Sequence, residues 1–381
     1  MKKAVAMMLA LTLTMGCLVG CGSGSNDTPK DDAPATDAPA DEPADEPADD
    51  AADDAADAPA DDAGGEDPYA DLGDFTMTVG HAQPEGNPRY VSMEKFAEDV
   101  AAKTNGHVTV TVMGNGQLGT EKEMLEQVVA GTTQGMRGGQ FDFSPRLLMF
   151  TLPFLTQTRA EITALLQSDL AKKVCEEAEE ETGTVIINLC DAGGYRQFSN
   201  NDHPIKTPDD LKGLKMRTNG MNTIDKTFIA LGATTTTIPY SDLYMGLKTG
   251  VADGQENPWV NVEGMKFYEV QKYFTEVNYQ FHPDPFYVNA TWWNSLPEEY
   301  RTIISECATE MGTYNDQLID ENSEAAKQTI IDSGSEVYVP TEEELQQFKD
   351  AVQVVYDQCV EEGICTADEL KEMQDIVANA N

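Results

Sequence analysis

From Phe75 onward, apolar residues recur at two alternating spacings, and this alternation confines the folded part of the chain to an α/β architecture. Phe75-Thr76-Met77-Thr78-Val79 alternates like a strand. Tyr90, Met93, Phe96, Ala97 and Val100 follow at helical spacing until Asn105-Gly106 stops the run. Val108, Val110 and Val112 alternate with threonines as a half-buried strand. Thr120-Glu121-Lys122-Glu123 is a capping box for a helix carrying Met124, Leu125, Val128 and Val129. Further along, Glu161 to Glu181 reads as one amphipathic helix and Val185-Ile186-Ile187 as a buried strand. Ser295-Leu296-Pro297-Glu298 starts another helix just after Trp292 and Trp293, which read as core residues. Gln317 to Lys327 and Thr341 to Val377 complete the chain as two or more amphipathic helices.

The first seventy or so residues obey different rules. Lys2-Lys3 precede an apolar run from Ala4 to Leu13, too short to span a bilayer comfortably, as in a signal peptide. Leu18-Val19-Gly20-Cys21 resembles a lipoprotein box, which implies cleavage before Cys21 and a lipid on its sulfur. Ser23 to Gly73 is low-complexity Ala, Pro, Asp and Glu with too little apolar bulk to fold. About 50 such residues extend on the order of 40 Å as a coil, and more under proline stiffness and self-repulsion. The expected organisation is a signal peptide over 1–20, a lipid-anchored acidic linker over 21–73 and a folded body over 74–381.

The whole chain has 25 Lys and Arg against 67 Asp and Glu, a net charge of −42, which disfavours nucleic acid and anionic membrane surfaces as partners. Between Asp27 and Asp71, 18 acidic residues face one Lys, so much of the charge is local. An anionic ligand would therefore need local arginines to overcome the protein's own field. Of the seven cysteines, five lie in the body. Cys359 and Cys365 are close enough to bridge a turn, and free buried thiols fit the spacing equally well.

Two stretches carry the functional signal. Thr207 to Arg217, TPDDLKGLKMR, gives a short capped helix closed by Gly213 and a strand, Leu214-Lys215-Met216, that delivers Arg217 at its carboxyl end. An arginine there suits bidentate recognition of a carboxylate; taken alone, a surface arginine describes it as well. Tyr240 to Trp259, YSDLYMGLKTGVADGQENPW, reads as a short helix with Ser241 as N-cap and Gly250 ending it, then a Val251-Ala252 strand. A turn follows into a helix with Asn257 at N-cap and Pro258 at its first position.

The GLKMR and DGQENP segments, in this order and spacing, together with Phe267-Tyr268-Glu269-Val270, resemble the solute-binding proteins of tripartite ATP-independent periplasmic (TRAP) transporters. The similarity runs from about Phe75 to the last helix and includes Leu152-Pro153-Phe154-Leu155. It implies a two-lobed periplasmic-binding-protein-like α/β fold with a ligand cleft between the lobes and long helices spanning both. On that template lobe I covers about 74–193 and 283–322, and lobe II about 194–282 and 323–355, with a C-terminal helix to 381. The resemblance implies that Arg217 holds an organic acid carboxylate, that Arg196 is a second cation and that Asn257 donates its amide; a hinge arginine tied to a neighbouring carboxylate describes Arg196 as well. Tyr240 and Trp259 are implied as cleft walls, and Glu121 as a ligand-facing carboxylate. Arg137 departs from the family's small or apolar residue; it fits an extra ligand contact, and better a solvent-facing arginine. The implied partners are an organic acid anion, integral membrane transporter subunits and, through Cys21, the outer face of the cytoplasmic membrane.

Enzyme motifs find no support. The four histidines stand far apart without metal-ligand spacing, and no nucleophile elbow, P-loop or dinucleotide fingerprint occurs. The expectation is no catalysis, no metal and no cofactor. A receptor domain that senses the same solute without transport would share the fold and site, and a secreted lyase or hydrolase would differ by turning its ligand over.

Overall fold

The computed structural model describes residues 67–141 and 143–380. The signal-peptide, lipid-anchor and most of the linker readings lie outside the described residues. The last linker residues do not: Asp67–Gly73 form turns, and Tyr69 and Leu72 pack on the core around Tyr300. His107 holds this entry by contacting Asp67 and Asp74, each at 2.7 Å.

Eleven strands follow in chain order among the described residues: β1 (Phe75–Gly80), β2 (Val108–Met113), β3 (Gly135–Arg137), β4 (Thr184–Asp191), β5 (Arg196–Asn200), β6 (Lys215–Thr218), β7 (Thr234–Thr237), β8 (Gly254–Pro258), β9 (Tyr273–Thr275), β10 (Pro283–Asn289) and β11 (Glu336–Tyr338). They form two sheets, ordered β2-β1-β3-β10-β4 and β11-β9-β5-β8-β6-β7. Each sheet frames one lobe. In the first, β1 runs parallel to β2 and β3, while β10 is antiparallel to both of its neighbours. In the second, β6 runs parallel to β7 and β8, and β5 lies antiparallel between β8 and β9.

The chain crosses between lobes from β4 to β5, returns from β9 to β10, and crosses again along the helix Glu298–Asp332. The first crossing turns on Gly193 and Gly194, whose φ of +142° and +91° are closed to most side chains. Asp191 accepts from both of their amides, at 3.0 and 2.8 Å, and pairs with Arg159 at 2.5 Å. The third crossing is a single helix of 35 residues, about 50 Å long. Its Tyr300, Ile304, Cys307, Ala308 and Met311 are buried in the core of lobe I, while Ala326 and Ile330 are buried in that of lobe II. A larger core runs beneath both sheets and takes in Phe198, Phe228 and Tyr279 with Phe348, Val355 and Met373 of the C-terminal helices.

Local signals set most elements. Thr120 and Thr207 each make the capping box their sequences specify, and Gly250 ends its helix at φ +71°. Several expectations are corrected. Glu161 to Glu181 is two helices, Arg159–Leu166 and Asp169–Thr182, because Ser168 caps the second by accepting the Ala171 amide. Ser241 lies inside a 3-10 turn and is no N-cap. Val251-Ala252 is not a strand, and Asn257 caps no helix: Gly254–Pro258 is β8, paired antiparallel with all of β5, and Pro258 precedes the helix Trp259–Gly264. Pairing to β5 extends a segment whose turn residues argue otherwise.

Cys359 and Cys365 are buried free thiols with sulfurs 3.4 Å apart. Gly363, at φ +72°, turns the chain so that the Ile364 amide bonds back to the Cys359 carbonyl at 3.0 Å. A small-molecule disulfide oxidant is expected to join them, with loss of two hydrogens by mass spectrometry. Closing this short loop should stabilise the fold by roughly 2 kcal/mol through the unfolded chain, a midpoint rise of a few degrees. An unchanged thiol count after oxidation would contradict this.

Candidate functional site

The carboxyl ends of β1, β3, β4 and β6 and the strand β8 converge on one interlobe cavity of about 30 Å³, room for a water molecule or two. Contacts between the lobes bracket it. Tyr240 donates its hydroxyl to Gln83 Oε1 at 3.1 Å, and Asn87 Nδ2 donates to Asn261 Oδ1 at 3.0 Å. In this closed conformation a larger solute enters only if the lobes part.

Arg217 reaches the cavity from β6 and is 1% exposed. Its Nε donates to the Ile238 carbonyl at 2.8 Å, but its Nη2 is buried and has no partner. No carboxylate pairs with it among the described residues. Burial lowers its pKa to about 10; Glu256 opposes the effect and the like charge of Arg196 adds to it. The side chain stays cationic at neutral pH, and a buried, under-bonded cation is what an anion would complete.

Arg196, at the start of β5, is differently placed. It lines the cavity, yet its Nη2 donates to Glu256 Oε1 at 2.8 Å, to the Glu256 carbonyl at 3.0 Å and to Asn257 Oδ1 at 3.1 Å. Its Nε also pairs with Glu256. Burial works against its charge, and the Glu256 carboxylate outweighs burial and raises its pKa. Tyr279 adds its hydroxyl to Glu256 at 2.7 Å. Asn257 lines the cavity from within β8, its amide nitrogen turned to Gln255 at 2.5 Å.

Glu121, first residue of its helix, lines the other side and accepts from Arg89 Nη1 at 2.9 Å. Arg89 also meets Asp284 through Nε at 2.8 Å. Asp284 is fully buried and takes a second arginine, Arg137, at 2.9 Å. Arg137 is therefore not solvent-facing. It is completely buried behind the cavity, donating to Ser92 Oγ at 3.0 Å and to the Asp191 carbonyl at 3.2 Å, because β3 lies beside β10 and its partner comes from that strand. Trp259 is also corrected: it lies off the cavity, in the lobe II core against Phe274 with ring centroids 6.0 Å apart. Tyr240 is half-buried and lines the cavity, its ring edge-on to Phe267.

Sequence reasoning missed Arg89, Gln83, Asn219, Asn261, Glu256 and His282, all at the cavity or touching its arginines. One of these had a signal. A cation in the first turn of a helix opposes the helix dipole, so Arg89 after Pro88 marks a side chain with another task. Gln83, Asn219 and His282 sit in loops, Asn261 in the helix Trp259–Gly264, and Glu256 inside a motif read for its neighbour.

His282 and His81 are buried and neutral. Burial holds His282 well below its ordinary value, with Arg196 and Arg89 adding, and pushes His81 down to about 3. Both groups protonate in the unfolded chain near pH 6.5 but resist in the folded one, so they lower stability as pH falls below that value. Each contributes at most about 1.4 kcal/mol per pH unit. His107, raised by Asp67 and Asp74, His203, raised by its bond to the Asp210 carbonyl, and Asp316, raised to about 6 by burial, act in the opposite sense. The urea midpoint should fall between pH 7.5 and 5, and His282→Gln should flatten the fall. A profile that rises toward pH 5 would oppose this assignment.

No group of three or more His, Cys, Asp or Glu among the described residues is placed to hold a metal, and no described helix is long and apolar enough to cross a membrane. Residues 79–363 match the family model described as bacterial extracellular solute-binding protein, family 7. A C4-dicarboxylate-binding periplasmic protein of Rhodobacter capsulatus is 30% identical over 75% of this chain and 87% of its own length. A TRAP periplasmic solute-binding protein of Desulfovibrio salexigens, solved with orotic acid, superposes with a TM-score of 0.76 at 28% identity, covering 80% of this chain and 99% of that one. One from Shewanella oneidensis, solved with succinate, gives 0.75 at 28% identity over 81% and 100%. The chain belongs to family 7 of the bacterial extracellular solute-binding proteins, the two-lobed TRAP type, and is a binding protein, not an enzyme.

Proposed function

We propose that this protein captures an organic acid anion outside the cytoplasmic membrane and delivers it to the integral membrane subunits of a TRAP-type secondary transporter. The observation that carries the reading is Arg217, buried at the interlobe cavity with Nη2 unpartnered and, among the described residues, no carboxylate on it. The relatives' acid ligands, a C4-dicarboxylate, orotic acid and succinate, support it. In this reading Arg217 receives the ligand carboxylate, and Arg196, its charge balanced by Glu256, borders the site. Asn257 and Tyr240 orient the remainder. Opening hydrates Arg217; closure on an anion replaces that water with a desolvated ion pair, which is how ligand shifts the population toward the closed form.

The test is thermal unfolding of the folded body, from Asp67 on, against a panel of carboxylic acids. A ligand at 100 times its Kd adds ~2.7 kcal/mol, several degrees for a protein of this size. Absence of any shift, also after unfolding and refolding to strip ligand carried through purification, would reject the reading.

The lipid anchor is part of the same proposal: Cys21 carries the acyl groups and the acidic segment is the tether. Cys21→Ala is expected to release the protein from membrane fractions of the producing cells. Undiminished retention would overturn the anchor and leave the binding site untouched.

A further inference from the structure

The arginines at and behind the cavity can be matched to carboxylates one by one. Arg196 has Glu256. Arg137 has Asp284, at 2.9 Å. Arg89 touches Asp284 at 2.8 Å and Glu121 at 2.9 Å, so Glu121 supplies the negative charge that Asp284 cannot give twice. Among the described residues four cations meet three anions, all buried or nearly so, and the cation left over is Arg217. The cavity therefore lacks one negative charge. A ligand bringing one completes the balance; a ligand bringing two leaves a buried anion without a counter-charge, which costs several kcal/mol.

The other groups facing the cavity give a second carboxylate no cation to pair with. Asn219, Asn257, Asn261, Gln83 and Tyr240 are neutral donors and acceptors suited to hydroxyl and carbonyl groups. His282 is held neutral by burial and by the neighbouring arginines. Glu121 gives Oε1 to Arg89, and its Oε2 has no hydrogen bond among the described residues. An acceptor-only oxygen at the cavity attracts a hydroxyl donor and repels a carboxylate.

Resting on the reading of this cavity as an organic acid site, we infer that its ligand is a monocarboxylate bearing hydroxyl groups, and that Glu121 is the residue that discriminates against dicarboxylates. The relative solved with succinate shows that the fold accommodates diacids, so the selectivity belongs to this chain's own set of charges.

The experiment is calorimetric titration of the refolded protein with matched pairs that differ by oxidation of one terminal group: glycerate and tartronate, galactonate and galactarate, glucuronate and glucarate, with succinate and orotate alongside. In the pair that binds, the monoacid should bind at least tenfold more tightly than its diacid, and Glu121→Gln should shrink that ratio to about threefold or less. A diacid, succinate included, that binds the wild type as tightly as or more tightly than every monoacid overturns the inference while leaving the organic acid site standing. A preserved ratio in a folded Glu121→Gln protein overturns the role of Glu121. Binding of no acid in the panel, with Arg217→Ala indistinguishable from wild type, overturns the site reading and the inference with it. Wild-type selectivity alone decides the charge argument should the Glu121 variant fail to fold.

Discussion

Arg217→Ala is expected to weaken ligand binding by about thirtyfold or more while leaving the ligand-free protein at least as stable as wild type. The two halves of this outcome have one cause. In the closed protein the Arg217 guanidinium is buried and, among the described residues, hydrogen-bonds only a backbone carbonyl, at 2.8 Å through Nε. Its pKa of about 10 against an ordinary 12.5 means that burial disfavours the charged form by roughly 3 kcal/mol. Losing the bond to Ile238 gives back about 1 kcal/mol. Binding, by contrast, loses one member of a desolvated charge pair, on the order of 2–5 kcal/mol, or about thirtyfold to several thousandfold in Kd. Titration of an identified ligand reads the first effect and urea unfolding without ligand the second. A variant that both binds normally and unfolds early would identify Arg217 as a structural residue. Sites that sacrifice stability for function show the reverse combination.

The second large effect is expected behind the cavity. Asp284 is completely buried between Arg89 and Arg137, so Asp284→Ala leaves two guanidinium groups without their shared carboxylate. Breaking a buried pair by removing one partner costs about 3–5 kcal/mol. For a protein of this length that lowers the unfolding midpoint by roughly 6–20 °C. Ligand binding should weaken as well, because Arg89 also holds Glu121. Combining Asp284→Ala with Arg137→Met should restore part of the stability, since the double variant removes a buried charge the single one strands. Additive losses in that cycle would mean that the two residues do not act as a pair.

Arg137 itself shows where one-dimensional reading ends. In sequence it is an arginine in a glycine-rich run; in the fold it is among the most deeply buried side chains, because β10 arrives beside β3 from far along the chain. Arg196 and Glu256 lie 60 positions apart and become partners only because β5 and β8 pair in register. Trp259 was read as a cleft wall by its place after a motif, and the packing of its helix sent it into the core instead.

What the sequence by itself determined is what short-range chemistry governs. The alternation of apolar residues sets the α/β class. The capping boxes at Thr120 and Thr207 start their helices where expected, and Gly250 ends one. The β6 strand carries Arg217 at its carboxyl end, and the combined motifs point to the family. These depend on residues within a few positions of each other, whose backbone preferences and caps act before the chain is folded. Only the tertiary structure decided which arginine was left without a carboxylate. Ion pairing in a closed cavity is a property of the whole set of charges brought together, and no spacing along the chain reveals a partner supplied by another strand.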